Sequence, residues 1–387
     1  MARLTFAGLR AAACAGALLA LAACGDGESS PGTVRFALTD APACGFDEIH
    51  LSVERIRVHR SADAGENATG WTELRLNPVR RIDLLKFGNG VLEELGQFSL
   101  PAGRYAQLRL VFAANGSGTP ANAVVPTDGE ETVLDIPVSV QGGASVAYPF
   151  SVTEDKLTDV LFDFDACRSV VASGGSSFSL RPAVKAVPRN GATIAGYVDR
   201  QLAGATVSAQ KAGVQSRGTV ADANGRFVIA FLDPANSPYD VVFTAAGRTT
   251  AVVAAVPVSA SAGAELSRME GPIALPAATD RTASGTVGPT GARSSAVLRA
   301  RQLIGSAGLV EVTRTNVNSA TGRYSLGLPA AQPRLATYTA RLPLLFSGAG
   351  TAGSYTLDAT ADGYAGEARS VDVAASAATW DVTLIRQ

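Results

Sequence analysis

Histidine and cysteine are scarce in this chain, and most zinc sites and nucleophilic sites depend on them. The 387 residues include two histidines, His50 and His59, and four cysteines. Zinc hydrolysis needs two or three His or Cys ligands, and a serine triad needs a histidine beside its nucleophile. Neither a His-Glu-x-x-His nor a Gly-x-Ser-x-Gly motif occurs. We therefore predict that the protein is not an enzyme, that it uses no cofactor, and that both histidines are solvated strand residues.

Charged residues are also sparse, at 17% of the chain. Lys and Arg number 33 and Asp and Glu number 34, so neither sign dominates. Nucleic-acid binding requires a basic surface, and the composition predicts no nucleic-acid partner. What is abundant is glycine, with 40 residues, which indicates many tight turns rather than long helices.

The first 23 residues have the layout of a secretory signal peptide. Residues 1–10 carry Arg3 and Arg10 and no acid, and residues 11–23 are almost wholly Ala, Leu and Gly. That apolar run is too short to span a bilayer as a helix. Small residues precede Cys24, as they do at a cleavage site, so we expect residues 1–23 to be removed.

The sequence Leu21-Ala22-Ala23-Cys24 resembles the lipobox of bacterial lipoproteins. There a peptidase cuts before a diacylated cysteine, which becomes the new N-terminus. The resemblance implies that Cys24 carries the lipid, that residues 24–32 are a polar tether and that the membrane is a partner; an ordinary signal peptide beside a chance cysteine is the alternative. In Gram-negative lipoproteins Asp after the cysteine favours the inner membrane. Gly25 stands there, which implies the outer membrane, on its periplasmic or surface-exposed face.

Two further cysteines, Cys44 and Cys167, would remain in the lipidated protein. In an oxidising envelope we expect them to form a disulfide, the alternative being two separate buried thiols. Closing a loop of that length stabilises a fold by about 4 to 5 kcal/mol in the chain-entropy model.

Residues 33–188 read as one β domain. Val34, Phe36 and Leu38 alternate with polar or small residues, as in a half-buried strand. The apolar alternation after Ile49 changes parity near Glu54-Arg55, which predicts a β-bulge there. We predict an antiparallel β-sandwich, interrupted by one short helical or irregular piece over 83–95. The other predicted strands are Trp71 to Leu76, Tyr105 to Phe112, Thr132 to Ile136, Ser145 to Val152 and Val160 to Asp165.

The same region carries a family resemblance across nearly all of residues 33–188. It resembles the bacterial lipoprotein family known as domain of unknown function 4382, which has no established activity to carry over. The motifs are Thr39-Asp40-Ala41-Pro42, Val58-His59, Trp71-Thr72-Glu73-Leu74, Arg81-Ile82-Asp83-Leu84-Leu85, Gly90-Val91-Leu92, Leu100-Pro101-Ala102-Gly103-Arg104-Tyr105 and Phe162-Asp163-Phe164-Asp165.

An internal repeat follows residue 190. Asn224-Gly225-Arg226-Phe227 corresponds to Thr321-Gly322-Arg323-Tyr324, and similar matches flank both segments. Residues 190–276 and 281–387 resemble the carboxypeptidase regulatory-like or collagen-binding B-type domains of the transthyretin-like, carbohydrate-binding-like class. The second copy is divergent, with an extra hairpin-like segment around Leu335 to Thr356. The resemblance implies all-β, tandem antiparallel β-sandwich domains after a cleaved signal peptide.

Three acidic positions could carry chemistry. Asp163 and Asp165 are expected to share one face of a strand, about 7 Å apart by strand rise, with Cys167 at the same parity. Such acids usually face solvent or pair with Arg; a cation site and a catalytic pair are the alternatives. Asp222-Ala223-Asn224-Gly225 fails the EF-hand pattern and is predicted to be a hairpin turn. No metal site is predicted.

Two functions fit this sequence. The first is a non-catalytic cell-envelope lipoprotein that acts as a structural or protein-interaction module at the outer membrane. The alternative is a carbohydrate-binding envelope lipoprotein, because the C-terminal repeats resemble a class that often accompanies carbohydrate-active enzymes. Trp71 and Trp380, the two tryptophans, alternate with apolar residues as core or edge positions do. An unknown envelope protein or a glycan is the expected partner.

Overall fold

A computed structural model describes residues 30–40 and 45–387. The predicted cleavage site, the tether up to residue 29 and the lipidated Cys24 therefore lie outside the described residues. Cys44 lies outside them as well. Within the described part of the chain, strands dominate and no helix is longer than four residues, as the predicted all-β class requires. None of the helices found there has the length and apolarity needed to cross a membrane.

The first unit contains twelve strands in two sheets, followed along the chain by two short units. Its strands are Pro31–Asp40 (β1), Phe46–His59 (β2), Thr72–Asp83 (β3), Glu93–Pro101 (β4), Gly103–Phe112 (β5), Ala123–Pro126 (β6), Thr132–Asp135 (β7), Ala144–Val152 (β8), Leu157–Phe164 (β9), Val170–Gly174 (β10), Ser177–Leu180 (β11) and Val184–Val187 (β12). Its helices are Leu84–Phe87, a 3-10 turn, Val138–Gln141 (α1) and Ala166–Ser169 (α2).

The two sheets of unit 1 enclose a single apolar core. One has the order β12-β9-β1-β4, and the other β10-β11-β7-β6-β2-β5-β8 with β3 paired to β2. Phe36 and Phe162, on neighbouring strands, are both fully buried and their rings stack at 5.9 Å. The alternation of apolar side chains along each strand thus places one face of each sheet in this core.

The predicted bulge in β2 is confirmed. The register of β2 against both β3 and β5 shifts between Val53 and Arg55. The extra residue restores the apolar face, since Val53, Ile56 and Val58 are all buried. The bulge therefore keeps a fourteen-residue strand on one core despite its change of parity.

Five strands of unit 1, β4, β6, β10, β11 and β12, were not predicted from the sequence, and two further details differ. The piece predicted over 83–95 is helical only at Leu84–Phe87, where Asp83 caps the turn and β4 already begins at Glu93. The sandwich is also not purely antiparallel, because β1 pairs in parallel with β9, and β7 with β11. Alternation along a strand reports which face is buried and carries no information on the direction of the partner strand.

Unit 2 begins at Ala192. Its strands are Ala192–Tyr197 (β13), Thr206–Lys211 (β14), Val214–Val220 (β15), Arg226–Leu232 (β16), Tyr239–Thr244 (β17), Ala251–Val256 (β18) and Ala264–Glu265 (β19), with 3-10 turns at Arg200–Leu202 and Pro234–Asn236. The sheet β16-β13-β19 faces a sheet that begins with the order β15-β14-β17-β18.

Unit 3 begins at Asp280. Its strands are Asp280–Gly288 (β20), Val297–Leu303 (β21), Leu309–Asn316 (β22), Arg323–Pro329 (β23), Arg334–Thr337 (β24), Ser347–Gly348 (β25), Ser354–Thr360 (β26), Glu367–Asp372 (β27), Ala378–Thr379 (β28) and Val382–Thr383 (β29), with 3-10 turns at Thr290–Ala292 and Gly305–Ala307. One sheet joins β23, β20, β28 and β29, and the other has the order β22-β21-β26-β27.

Units 2 and 3 repeat the same local geometry at matching turns. Gly225 and Gly322 have φ of 78° and 76°, a conformation that favours glycine. Their carbonyls accept bonds from the amides of Val198 and Val287, both at 2.8 Å. The turn predicted at Asp222 to Gly225 is present, but it joins β15 and β16 of different sheets rather than the two strands of a hairpin. The Asp222 carboxylate accepts the Asn224 amide.

The hairpin-like segment of the second repeat joins the sheet of unit 2. Strand β24 pairs in parallel with β18, and β25 pairs antiparallel with β24, so that both strands extend the sheet β15-β14-β17-β18. Tyr338, Leu344 and Phe346 from the same segment pack against the core of unit 2. Unit 3 therefore contributes strands and apolar side chains to its neighbour.

Candidate functional site at the junction of the three units

The end of β9 lies where unit 1 meets unit 2. Asp163 is the penultimate residue of this strand, and its residue surface is 5% exposed. Arg217, on β15 of unit 2, places Nη1 at 2.6 Å from Oδ1 of Asp163, and both side chains are 6% exposed. Asp163 is thus buried and paired across an interface, whereas the sequence indicated a solvated residue or an arginine within its own sheet.

Two groups around this ion pair complete its environment. The Lys185 ammonium lies 3.4 Å from Oδ2 of Asp163 and is itself half exposed. The guanidinium of Arg217 lies over the ring of Phe231 at 5.6 Å. Removing one partner of such a buried pair leaves an uncompensated charge, which typically costs about 3 to 5 kcal/mol.

Asp165 does not share the strand face of Asp163, contrary to the sequence expectation. Strand β9 ends at Phe164, and Asp165 is the N-cap of α2, where its carboxylate accepts the Arg168 amide at 3.0 Å. Cys167 lies inside α2, outside the strand parity on which the expectation depended. Burial raises the pKa of Asp165, and burial lowers the pKa of Arg168 nearby.

A polar cavity of about 220 Å³ opens beside these residues. A second, of about 310 Å³, shares Asp165, Arg168 and Gln215 with it and reaches Arg314 of unit 3. The first is lined by two carboxylates and by three cations, from Arg168, Lys185 and Arg217. Three cations beside two acids disfavour a metal ion, and among the described residues no group of three His, Cys, Asp or Glu could hold one. The chemistry of this site is charge pairing between units.

Asn89 forms a second contact between units 1 and 2. Its backbone has a left-handed φ of 56°. Its Oδ1 accepts the Val228 amide at 2.8 Å, and its own amide donates to the Thr219 hydroxyl at 2.9 Å. The sequence analysis missed this role: the Asn89-Gly90 pair signals a turn, but no local pattern reveals a partner 130 residues away.

Asn316 plays the corresponding part between units 1 and 3. Its Nδ2 donates to the carbonyls of Arg168 and Val170 at 3.1 and 2.9 Å, and its Oδ1 accepts from Arg181 at 3.0 Å. The Ser319 amide adds a backbone bond to the Ala172 carbonyl at 2.9 Å. One side chain therefore satisfies donors and acceptors of two segments of unit 1.

Units 2 and 3 are joined through buried groups. Gln210 and Glu311 exchange two hydrogen bonds, of 2.7 Å to the Glu311 carbonyl and 2.9 Å from its amide. Val242 and Val252, on β17 and β18 of unit 2, are buried in the core of unit 3. The sheet of unit 2 is in this way covered on its second face.

The two histidines are both on β2, as predicted; His50 is largely buried rather than solvated, whereas His59 is partly exposed. The ring of His50 is 12% exposed and lies 2.6 Å from the Glu48 carboxylate. The ring of His59 packs against Trp71 at 5.0 Å between centroids. They do not meet a common nucleophile or ligand, and they support no catalytic site.

The predicted disulfide partner Cys44 and the predicted lipidation site Cys24 lie outside the described residues. Cys167 is placed in α2 at the edge of the larger cavity. The Cys44–Cys167 disulfide and the lipid on Cys24 therefore stay predictions.

Three solved structures show partial similarity to this chain. A mutant type II cohesin–X-dockerin complex from Acetivibrio cellulolyticus shares 29% identity over 23% of this chain, with a TM-score of 0.20, and the chain spans 59% of that protein's length. A streptococcal ancillary pilin has 9% sequence identity to this chain, with a TM-score of 0.17. The match covers 92% of this chain and 99% of the pilin. Two B repeats of the Staphylococcus aureus collagen-binding protein have 10% sequence identity to this chain, with a TM-score of 0.18. That match covers 93% of this chain and 76% of the solved structure.

Family models match two stretches of the chain, and no curated protein matches it. Residues 31–182 match the domain of unknown function DUF4382, and residues 193–268 match the carboxypeptidase regulatory-like domain. The described fold, the order of the two matches and the repeat geometry all agree with the family resemblance in the sequence. Unit 1 is thus a DUF4382 domain, and unit 2 is a carboxypeptidase regulatory-like domain.

Proposed function

We propose that this protein is a non-catalytic cell-envelope lipoprotein, anchored to the outer membrane through Cys24, whose three docked units serve as a structural or protein-interaction module. The observation that carries the proposal is the set of buried or partly buried contacts at all three junctions. The Asp163–Arg217 pair is one of them, and Asn316 and Gln210 supply the others. Units joined only by loops move independently by default, whereas buried pairing holds them in one arrangement.

Limited trypsin digestion of the full chain in detergent tests this docking. Arg189 lies in the loop between units 1 and 2 and pairs with Asp159 at 3.0 Å. We expect slow cleavage after Arg189 in the wild type and faster cleavage in Arg217→Met, which loosens the junction. Cleavage of the wild type after Arg189 at the rate of an unstructured peptide would contradict a docked module.

Fatty-acid labelling tests the anchor. Cys24→Ala should abolish palmitate labelling and release the protein from the membrane fraction, because it removes the acceptor sulfur. Cys14→Ala is the matched control, since this cysteine also lies in the leader but not at the lipobox position, and it should label normally. Unchanged labelling of Cys24→Ala would refute the anchor while leaving the docking intact.

Density-gradient separation of the two membranes tests the location. Gly25→Asp should move the protein toward the inner-membrane fraction, and Gly25→Ser should leave it in the outer-membrane fraction. If the wild type and both variants are all found in the inner-membrane fraction, the outer-membrane assignment is wrong.

The disulfide is part of the same proposal. Cys44 with Cys167 would tie the segment that follows β1 in the sequence to α2, beside the cavity at the junction of the units. Non-reducing peptide mapping should recover the two cysteine peptides as one species, which separates on reduction. Alkylation of both thiols without reduction would show that they are free.

The carbohydrate alternative depends on tryptophan exposure. Trp380 is 7% exposed in the core of unit 3 and cannot offer a platform to a sugar. Trp71 is half-buried and lies on the outer face of the larger sheet of unit 1. Of the two tryptophans, Trp71 is therefore the one with exposed surface for a sugar ring.

A further inference from the structure

The outer face of β2, β3 and β5 concentrates arginines. Arg57 lies directly opposite Arg109 on β5 and Glu73 on β3, and Arg55 lies opposite Arg75. We call Arg55, Arg57, Arg75, Arg109 and Trp71 the arginine face. With Glu54 and Glu73 as its acids, this face has four cations against two anions, an excess of two positive charges.

Trp71 covers two of these arginines. The guanidinium carbons of Arg57 and Arg109 lie 4.7 and 5.4 Å from its ring centroid. Like charges directly opposite each other in a sheet are destabilising, and cation–π contacts of roughly 0.5 to 2 kcal/mol offset that cost. The close arginine pair is thus held by an aromatic ring that both arginines share and by Glu73 beside Arg57.

Arg109 lacks an anionic partner within the described residues. Its guanidinium packs on the ring of Trp71, and its Nε is buried without a hydrogen-bond acceptor from the protein. The Nε atoms of Arg55 and Arg57 are also buried without acceptors, although both side chains lie within 4 Å of glutamates. Arg109 therefore leaves this face with a positive charge that no carboxylate among the described residues balances.

We propose that the arginine face binds a carboxylate-bearing polysaccharide. A uronate carboxylate can pair with the guanidinium of Arg109, whose charge no described carboxylate balances, beside the 13% exposed side chain of Arg57, because guanidinium matches carboxylate geometry. The exposed part of the indole supplies an apolar surface for the sugar ring. An open face with one aromatic group suits a linear glycan better than an acidic peptide, which requires apolar anchor pockets. The proposal adds a ligand class to the interaction role above and does not depend on the lipid anchor.

Calorimetric titration of the detergent-solubilised full chain with an oligogalacturonate tests the proposal. We expect saturable binding that weakens as salt is raised, because the contacts are electrostatic and partly exposed. Arg109→Gln should lower the affinity about tenfold, equivalent to about 1.4 kcal/mol. Arg323→Gln, at an exposed arginine of β23 in unit 3, is the matched control and should bind as the wild type does.

Two further variants and two further ligands keep the outcome decisive. Arg75→Gln changes a side chain that is 64% exposed, so the fold should tolerate it. We expect this variant to lose two- to threefold in affinity, which corresponds to about half a kcal/mol. Trp71→Phe should weaken binding while retaining a ring over the arginines. Neutral maltohexaose should not bind. The proposal is overturned if the wild type does not bind the uronate, or if Arg109→Gln binds it as tightly as the wild type does. Binding of poly-glutamate as tight as that of the uronate would also overturn it, in favour of an acidic peptide. Loss of palmitate labelling is a separate readout, so failure of the anchor and failure of this surface are distinguishable.

Discussion

The two junctions made by unit 2 are built from different interactions. Toward unit 1, directional polar contacts of single side chains, such as Asp163, Arg217 and Asn89, surround a small apolar cluster in which Phe231 packs against unit 1. Toward unit 3, the contacts are a shared sheet through β18 and β24 and a shared core that includes Val252. The comparison teaches that tandem sandwiches can be joined either by orientation-fixing polar contacts or by direct fusion of their cores.

The energetics of the two junctions should differ accordingly. A buried ion pair adds little net stability but is costly to break from one side. Shared apolar burial instead contributes in proportion to area, at about 25 cal/mol per Å². One substitution at the ion pair is therefore expected to cost most of the stability that this pair can lose. Substitutions in the shared core are expected to cost stability in proportion to the apolar area that they remove.

The largest effect is expected from Arg217→Met. The new side chain keeps its packing on Phe231 but leaves Asp163 buried beside Lys185 alone, so the junction should lose about 3 to 5 kcal/mol. Hydrogen exchange of β15, read by mass spectrometry, measures this loss as a local opening free energy.

A double substitution provides the control. Asp163→Asn with Arg217→Met removes both charges and should recover at least half of the loss, because no unpaired charge stays buried. A double variant as unstable as Arg217→Met alone would mean that packing, rather than charge, holds this junction.

The next largest effect concerns Val252 and its neighbour on β18. Val252 is buried in the core of unit 3, whereas Val253 is buried in the core of unit 2. Each change to Ala should cost about 2 kcal/mol through lost burial and a cavity. Val252→Ala should reduce exchange protection mainly in β21 and β26, and Val253→Ala mainly in β14 and β16. Identical protection maps would contradict the separate cores.

A smaller loss is expected from Gly213→Ala. Gly213 has a φ of 72°, and an added Cβ would lie 2.1 Å from the Leu309 carbonyl oxygen across the junction of units 2 and 3. The left-handed conformation alone costs a residue with a side chain about 1 to 2 kcal/mol. Gly204→Ala is the matched control for this strain, since Gly204 has a φ of 86° and open space around it. If both variants melt at the same temperature, the close approach at Leu309 has no energetic weight.

The smallest effect comes from Asp165→Asn and has a defined dependence on pH. Burial raises the pKa of Asp165, so ionising it destabilises the fold as the pH rises above the unfolded value and through the folded one. Asn should cap α2 as well as Asp does, and the variant should gain less than about 1 kcal/mol above that window and nothing below it.

Asp159→Asn is the counterpart with the opposite sign. The hydrogen bond from Arg35 lowers the pKa of Asp159, so its contribution is present above the unfolded pKa and is lost as the pH falls through the folded one. This variant should lose stability at neutral pH and match the wild type in acid. Thermal melts of the wild type and both variants from pH 3 to pH 8 check the two slopes.

The sequence predicts what depends on local pattern. Alternating apolar residues located β1, β2, β5, β7, β8, β9 and the first half of β3 in unit 1. The change of parity after Val53 located the bulge, and glycine located the paired turns at Gly225 and Gly322. Partners from distant segments could not be predicted in this way. Asp163 could be identified as an acid in need of a partner, but the parity of β9 does not reveal that Arg217 of another unit supplies the charge.

The placement of β24 shows the same limit. Residues 334–337 have the composition of a short strand, yet nothing in four residues specifies the sheet that accepts them. The choice is made by the open edge of β18, whose Thr250 and Ala254 carbonyls accept amides of the incoming segment. The arginine face was missed for a related reason, because Arg57 and Arg109 become neighbours only when β2 pairs with β5.

The insertion of β24 also fixes an order of events along the chain. Ribosomes make proteins from the N-terminus, so β18 is complete well before β24, which begins 78 residues after β18 ends at Val256. During that interval β18 is an unpaired edge, the kind of strand that recruits other chains. A truncated chain ending before Arg334 would expose this edge permanently. Such fragments should therefore aggregate or be degraded, and only the chain that includes β24 can close its own sheet.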